Sequence, residues 1–155
     1  MDDKALRKEL IELLKGGQAH ATLKEVLKDI KPELCNKRPH KGTRSVYEEF
    51  EHMRLAQEDI LRYTLDPDWK SPEWPYGFWP SGNDETTKEI LSNAVSQFFK
   101  DLDELIALVK NPKVDLTALI PHGEGHTYLR EVLLVADHNA YHLGKIVRTL
   151  SQLGE

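Results

Sequence analysis

The sequence has a single cysteine, no long hydrophobic run and no excess of positive charge, and each absence excludes a class of protein. Cys35 alone cannot form an intramolecular disulfide or a thiolate cluster that binds metal. No apolar stretch reaches the roughly 20 residues of a membrane-spanning helix, and residues 1–15 are charged throughout, unlike a signal peptide. The net charge of −5, from 26 acidic and 21 basic side chains, disfavours binding to nucleic acid or anionic membrane. We therefore expect a cytoplasmic protein.

Alternating apolar and polar residues, internal repeats and glycine-rich phosphate loops are also missing. Apolar residues recur instead at helical spacing, and a chain of 155 residues is long enough for one domain with a substantial core. The sequence thus predicts an all-α fold, a single four-helix bundle over residues 1–155. The predicted helices cover 2–15, with the pattern resuming over 19–30, then 45–65, about 85–110 and about 128–153.

An aromatic, proline-rich connection separates the second and third long helices. Residues 66–84 contain all three tryptophans and four prolines. Such a long irregular connection is uncommon unless it has a function or covers something, and aromatic side chains are costly to leave in water. We expect an ordered lid that either caps the core or walls a pocket. Fully extended, it exceeds about 50 Å, enough to make the flanking helices parallel.

Two histidines four residues apart, His138 and His142, lie in the last predicted helix. This spacing places both on one helix face with Cβ atoms roughly 6 Å apart, so both imidazoles can reach one metal ion. Zinc proteases use the same spacing, with a glutamate after the first histidine as general base. Asn139 occupies that position, which excludes the protease interpretation. The pair is a half-site that needs a further ligand.

His52, in the second long helix, is the candidate third ligand, because metal sites in bundles are built from inward side chains on facing helices. Three neutral imidazoles with an open fourth position are typical of catalytic zinc sites. Asp59 in place of His52 would instead give a two-histidine, one-carboxylate site suited to non-haem iron. His122 and His126 form a rival pair, which is weaker because neighbouring proline and glycine argue against a helix there.

Three segments carry a resemblance to a known family. They are Tyr47–Met53 around His52, the tryptophan and proline stretch ending at Tyr76–Pro80, and Leu129–Glu131 leading into Asp137–Gly144 with its His-x-x-Tyr-His-x-Gly pattern. From about residue 19 to 154 the chain resembles the DinB-like superfamily of metal-dependent proteins. The pattern in the last helix is the most specific part of the resemblance.

The resemblance implies a bundle with a long crossover between the second and third long helices, in which His52, His138 and His142 hold divalent zinc, nickel or iron. It also implies a homodimer that acts on a small-molecule substrate, either as a hydrolase or as a transferase that uses a small thiol. Lys145 stands where related sequences often have glutamine. We expect this lysine to be solvated, with binding of an anionic substrate as the alternative.

Glu48, one turn from His52, is the candidate general base or fourth ligand, and Tyr141 is the second catalytic candidate. Asp137 and Tyr141 could also orient the imidazoles from outside the ligand set. A metal-bound water has its pKa lowered toward neutrality and could attack an ester or amide, or a thiolate could bind in its place. The alternative function is a non-catalytic protein for binding or dimerisation with a vestigial or empty metal site.

Overall fold

The computed structural model describes residues 2–28, 30–80 and 86–154, and these residues are mostly helical. They form no sheet; Leu119 and Thr127 make an isolated antiparallel bridge. The prediction of an all-α fold is confirmed for this part of the chain. The helices are α1 Asp3–Lys15, α2 Leu23–Leu27, α3 Pro32–Cys35, α4 Val46–Leu65, α5 Lys88–Lys110 and α6 Tyr128–Leu153, with a 3₁₀ turn at Tyr76–Phe78 between α4 and α5.

Side-chain caps fix where the two histidine-bearing helices begin. The hydroxyl of Ser45 accepts a hydrogen bond from the backbone N–H of Glu48, and the Glu48 carboxylate accepts one from the N–H of Ser45. This reciprocal capping box satisfies two free donors at the start of α4. Thr127 caps α6 by accepting from the N–H of Arg130. Both starts agree with the sequence prediction.

The chain between α1 and α4 is less helical than its apolar spacing predicted. The prediction of a helix over 19–30 was wrong in extent, because α2 covers only Leu23–Leu27. The physical reason is local: Thr22 and Glu25 form a capping box that starts the helix late.

Two further boundaries differ from the predicted ones. The expected connector over 31–43 contains α3, with Pro32 in its first turn, where the missing N–H costs no hydrogen bond. Helix α5 begins at Lys88 because Thr87 caps it by accepting from the N–H of Ile90. The predicted start at Glu85 lies outside the described residues.

Helix α4 is central to the packing. It contacts α5 and α6, and its contact with α6 is the most extensive between any two described helices. Helix α1 packs against α5 and α6. Burying one large apolar side chain contributes about 1.5–3 kcal/mol, and the interface of these helices is built from such residues. Its least exposed large members include Phe50, Met53, Leu61, Leu105, Val132 and Ile146. The core therefore holds α4 and α6 side by side.

The described part of the aromatic connection, residues 66–80, is only partly buried. Phe78 is buried, and the indole N–H of Trp69 donates to Oδ1 of Asp59 at 2.8 Å. The aromatic side chains, expected to be costly to leave in water, are not all covered: Trp74 is 71% exposed and Tyr76 80% exposed. Among the described rings Trp74 packs only against Phe78, with centroids 5.5 Å apart and planes tilted by 55°. Most of its surface therefore remains in water. The predicted lid residues 81–84 lie outside the described residues.

No described helix combines the length and hydrophobicity required to cross a membrane.

Candidate metal centre

Helices α4 and α6 bring three histidines together. His52 comes from α4, and His138 and His142 come from one face of α6, as their spacing of four predicts. The ring centroids lie 4.4 to 5.1 Å apart. One potential ligand atom from each residue lies within 4.8 Å of the other two. The three predicted ligands therefore form one group that could bind a metal ion.

The ring of His52 is held by the last residue of the 3₁₀ turn, Phe78, and by the residue that follows it, Trp79. Its Nδ1 lies 2.7 Å from the carbonyl oxygen of Phe78. A carbonyl can only accept, so Nδ1 carries the proton and Nε2 keeps its lone pair. The Trp79 ring stacks on His52 with centroids 3.9 Å apart and planes 2° from parallel, and the Arg44 guanidinium lies 4.3 Å from the Trp79 ring. Orientation and tautomer of His52 are thus both fixed.

His142 is oriented by a buried carboxylate, Glu49. Nδ1 of His142 lies 2.7 Å from Oε2 of Glu49, and Nζ of Lys145 lies 2.7 Å from the other oxygen. Burial alone would raise the pKa of Glu49, but the hydrogen bonds from His142 and Lys145 outweigh it and hold that pKa below its ordinary value. The carboxylate stays ionised and accepts from Nδ1–H, which leaves Nε2 of His142 free. In metal sites such a carboxylate fixes the imidazole tautomer and increases its basicity.

His138 contains a nitrogen that the described protein leaves without a partner. Its Nδ1 is buried and has no hydrogen bond to any described residue. Burial, together with repulsion from His142 and His52, lowers the pKa of His138 to about 4, so its imidazole is neutral at physiological pH. A buried polar atom without a partner is costly, and a metal ion beside the three rings is a group that would reduce that cost. Neutral imidazoles are also the ligand form that divalent transition metals require, so the residues present fit such an ion.

A comparison with models of known protein families identifies the family of this chain. The sequence model described as the DinB superfamily matches residues 17–146, most of the chain and all three histidines. The chain belongs to the DinB superfamily. The resemblance drawn from its sequence motifs is confirmed. Parallel comparisons with curated proteins and with solved structures gave no match.

In this DinB-superfamily protein the Glu48 carboxylate does not join the three-histidine group. It accepts from Nε of Arg38 at 3.0 Å, from Arg44 at 3.1 Å and from the Ser45 N–H at 2.8 Å. The reason lies in the cap: the side chain reaches back toward the start of α4 to satisfy Ser45, away from the following turn that carries His52. The structure therefore separates the predicted base from the predicted ligands.

Glu49, which the sequence analysis missed, is the carboxylate that reaches a predicted ligand. A signal for it was present. Glu49 stands three residues before His52 and so shares a helix face with it, whereas the capping-box pattern already committed Glu48 to the backbone of Ser45. Excluding the capping residue would have left Glu49 as the carboxylate available to an imidazole.

The remaining predicted residues of α6 have different surroundings. Tyr141 is 63% exposed, with its ring 4.9 Å from that of His142. Asp137 is exposed, and among the described residues no hydrogen bond or ion pair joins it to an imidazole. The expectation that Lys145 is simply solvated was wrong, because it lies one turn beyond His142 and pairs with Glu49; its Nζ also lies 5.4 Å from the Tyr141 ring.

The alternative ligands lie elsewhere. Asp59 accepts from Trp69 and is outside the three-histidine group. Nε2 of His122 lies 2.8 Å from the carbonyl oxygen of Tyr63, and Nδ1 of His126 lies 3.1 Å from the buried carboxylate of Glu131. Within the described ranges, neither rival histidine belongs to a group of three metal-ligand side chains.

Proposed function

We propose that this protein is a metal-dependent enzyme that acts on a small molecule, with His52, His138 and His142 as the ligands of one divalent ion. The observation that carries the proposal is the hydrogen bonding of the ring nitrogens in the three histidines. Two have Nδ1 committed to fixed acceptors, and the third has a buried nitrogen without a described partner. Three neutral nitrogen donors are typical of catalytic rather than structural zinc sites. Zinc, nickel and iron all accept imidazole ligands.

The reaction we propose is either hydrolysis or transfer of a small thiol. A divalent ion held by three imidazoles supplies a bound water or thiol of lowered pKa. The protein's own cysteine does not supply that thiol. Cys35 is fully buried, and burial raises its pKa to about 11, with a further increase from Glu33. A thiol for this reaction would therefore come from a co-substrate.

The side chains next to the three histidines support substrate binding beside the metal. Trp79 covers one face of His52, and Tyr141 offers an exposed phenol beside His142. Arg44 lies over the Trp79 ring and Lys145 lies near the Tyr141 ring. Each of these cations also pairs with a buried glutamate of α4. We propose that Tyr141 contacts the substrate and donates a hydrogen bond to it, while Glu49 acts as a positioning residue through His142.

Membership of the DinB superfamily supports two further parts of the proposal. The first is a four-helix bundle of α1, α4, α5 and α6 with a long crossover between α4 and α5. The second is assembly as a homodimer, for which partly exposed apolar residues on α6, such as Leu133 and Val147, offer apolar surface.

Metal content tests this function most directly. Protein purified without chelator should contain about one divalent ion per chain by elemental mass spectrometry. The ion should be lost in His52→Ala and in the double variant His138→Ala/His142→Ala, with the helical circular dichroism spectrum retained. The matched control is His122→Ala/His126→Ala, a second pair four residues apart, which should keep the metal. If the parent protein takes up no metal even after zinc, nickel or iron is added, the enzyme proposal fails. The non-catalytic alternative would then be tested at the exposed Trp74 and Tyr76.

A further inference from the structure

A cavity of about 220 Å³ lies among α1, α2, α4, α5 and α6 and has none of the three histidines in its lining. Its lining is mostly apolar and includes Leu14, Met53, Phe98, Leu102 and Leu143. Met53 and Phe98 are only 1% and 2% exposed, so the cavity reaches the core of the protein.

The mouth of this cavity is formed by its exposed lining residues. They include Leu13 near the end of α1, His20 in the segment that follows α1, and Lys24 in α2. The deep lining has no charged side chain, and burying a charge without a partner is costly. The interior of the cavity therefore favours an uncharged occupant.

One polar side chain in the lining, Asn139, is fixed by a chain of amide hydrogen bonds. Nε2 of Gln57 donates to the carbonyl oxygen of Phe98 at 2.8 Å, and Nδ2 of Asn139 donates to Oε1 of Gln57 at 2.9 Å. The Phe98 carbonyl can only accept, so Gln57 must present its NH₂ group there and its oxygen to Asn139. Asn139 must in turn present its own NH₂ group to Gln57. The carbonyl group of Phe98 therefore fixes the orientation of both side-chain amides, first that of Gln57 and through it that of Asn139.

This fixed orientation leaves Oδ1 of Asn139 as an acceptor without a donor. The atom is buried and has no hydrogen-bond partner among the described residues. It cannot exchange places with Nδ2 without breaking the bond to Gln57. A buried acceptor without a donor is costly, and a ligand N–H or O–H group in the cavity would reduce that cost.

The volume sets the size of such a ligand. An apolar cavity of about 150 Å³ binds benzene, with its six heavy atoms. At the same volume per atom, a cavity of about 220 Å³ accepts roughly nine heavy atoms.

We propose that this cavity is a binding site for a small uncharged molecule, with an apolar body of about nine heavy atoms and one N–H or O–H group that donates to Oδ1 of Asn139. The site is separate from the three histidines and does not depend on the metal-dependent function proposed above. Its ligand class is set by the apolar lining, by the fixed and unpartnered acceptor on Asn139 and by the absence of charge in the deep lining.

Indole is a suitable probe because it has about nine heavy atoms and one N–H donor. Benzofuran is its matched control, with the same ring system and size but no donor. The sequence contains two methionines, so protein labelled with ¹³C at the methionine methyl groups gives a two-peak spectrum, and the peak missing from Met53→Leu belongs to Met53. Chelator is present throughout, so that the histidine site takes no part in the result.

Indole should shift the Met53 methyl resonance in a saturable way, because Met53 lines the cavity. Benzofuran should bind about two- to tenfold more weakly, the effect of one net hydrogen bond. Ala136→Phe places a ring in the cavity lining and should abolish the shift, whereas Ala5→Phe on the exposed face of α1 should leave it unchanged.

Three results would overturn the proposal. One is no saturable shift with indole in the folded parent protein. Another is equal affinity for indole and benzofuran, which would mean that Oδ1 of Asn139 takes no ligand donor. The third is binding that survives filling of the cavity. If Ala136→Phe does not fold, Leu143→Phe, which enlarges a buried lining residue, serves as the second filling variant.

Discussion

Glu49 and His142 stand 93 positions apart in the sequence, and their side chains meet in the interior, with Oε2 of Glu49 2.7 Å from Nδ1 of His142. Both residues are almost inaccessible, at 2% and 4% exposure. Helix α6 places the His142 ring beside those of His52 and His138. The Glu49 carboxylate on α4 fixes the direction in which the free nitrogen of His142 points. The same carboxylate holds Lys145 through its other oxygen. The contact between α4 and α6 therefore controls the geometry of the proposed ligand set.

Glu49→Ala should lower zinc affinity about 10- to 100-fold, the usual effect of losing a residue that orients a metal-bound histidine. Glu49→Gln should have a smaller effect, because the amide oxygen can still accept from Nδ1–H while the negative charge is lost. Competition titration against a coloured zinc chelator measures both affinities. Parental affinity in Glu49→Ala would show that His142 does not need this carboxylate to bind metal.

Glu48→Gln should produce the opposite pattern, although the two glutamates are adjacent. Glu48 caps α4 and pairs with Arg38 and Arg44, and the interactions keep its pKa below the ordinary value against the opposing effect of burial. Loss of the charge should lower the free energy of unfolding by about 1–2 kcal/mol, the scale of a helix cap, and leave zinc affinity unchanged. Urea unfolding and the same zinc titration measure the two quantities. Loss of metal with full stability would instead assign Glu48 to the ligands.

The sequence predicted best what depends on local geometry. The spacing of His138 and His142 places them on one face of α6 whatever surrounds the helix. The start of α4 is local for the same reason, since its capping box involves two residues only three positions apart, Ser45 and Glu48. His52 was harder, because its meeting with the pair depends on packing between α4 and α6. The family motif supplied that link.

Contacts between distant parts of the chain could not be read from spacing. Glu49 and Glu48 both lie within one turn of His52. The capping box accounts for the position of Glu48, whereas the contact of Glu49 with His142 depends on how α4 packs against α6. Lys145 was expected to be solvated, and its pairing with Glu49 was missed because the two residues are distant in sequence. The exposure of Trp74 and Tyr76 could not be predicted either. Composition shows that a segment is aromatic, but it does not show which of the side chains the core can cover.

The metal-free protein should lose stability as pH falls from about 6.5 to about 4. Burial and the neighbouring imidazoles lower the pKa of His138 from 6.5 to about 4, and burial lowers the pKa of His52 in the same direction. Between these two pH values the unfolded chain binds protons that the folded chain does not bind, so protonation favours unfolding. The penalty is absent above about 6.5 and reaches its full size only below the folded pKa.

Urea unfolding at a series of pH values, with chelator present, measures this effect. His138→Leu should flatten part of the slope between pH 6.5 and 4, because the variant has no imidazole to protonate at this position. His40→Leu, at an exposed position, serves as the control and should keep the parental slope. An unchanged slope in His138→Leu would contradict the assignment.

Nickel binding should quench the fluorescence of Trp79 more than that of the other two tryptophans. The Trp79 ring lies parallel to His52 at 3.9 Å, and an open-shell ion held by His52 would therefore sit close to this indole. Zinc has a filled d shell, so at the same occupancy it should quench much less. Trp79→Phe should remove most of the nickel effect, whereas Trp74→Phe, at a position 71% exposed, should retain it. Titration of fluorescence in the three proteins separates these outcomes. Equal quenching in the parent and in Trp79→Phe would mean that nickel binds away from His52, whatever its total stoichiometry.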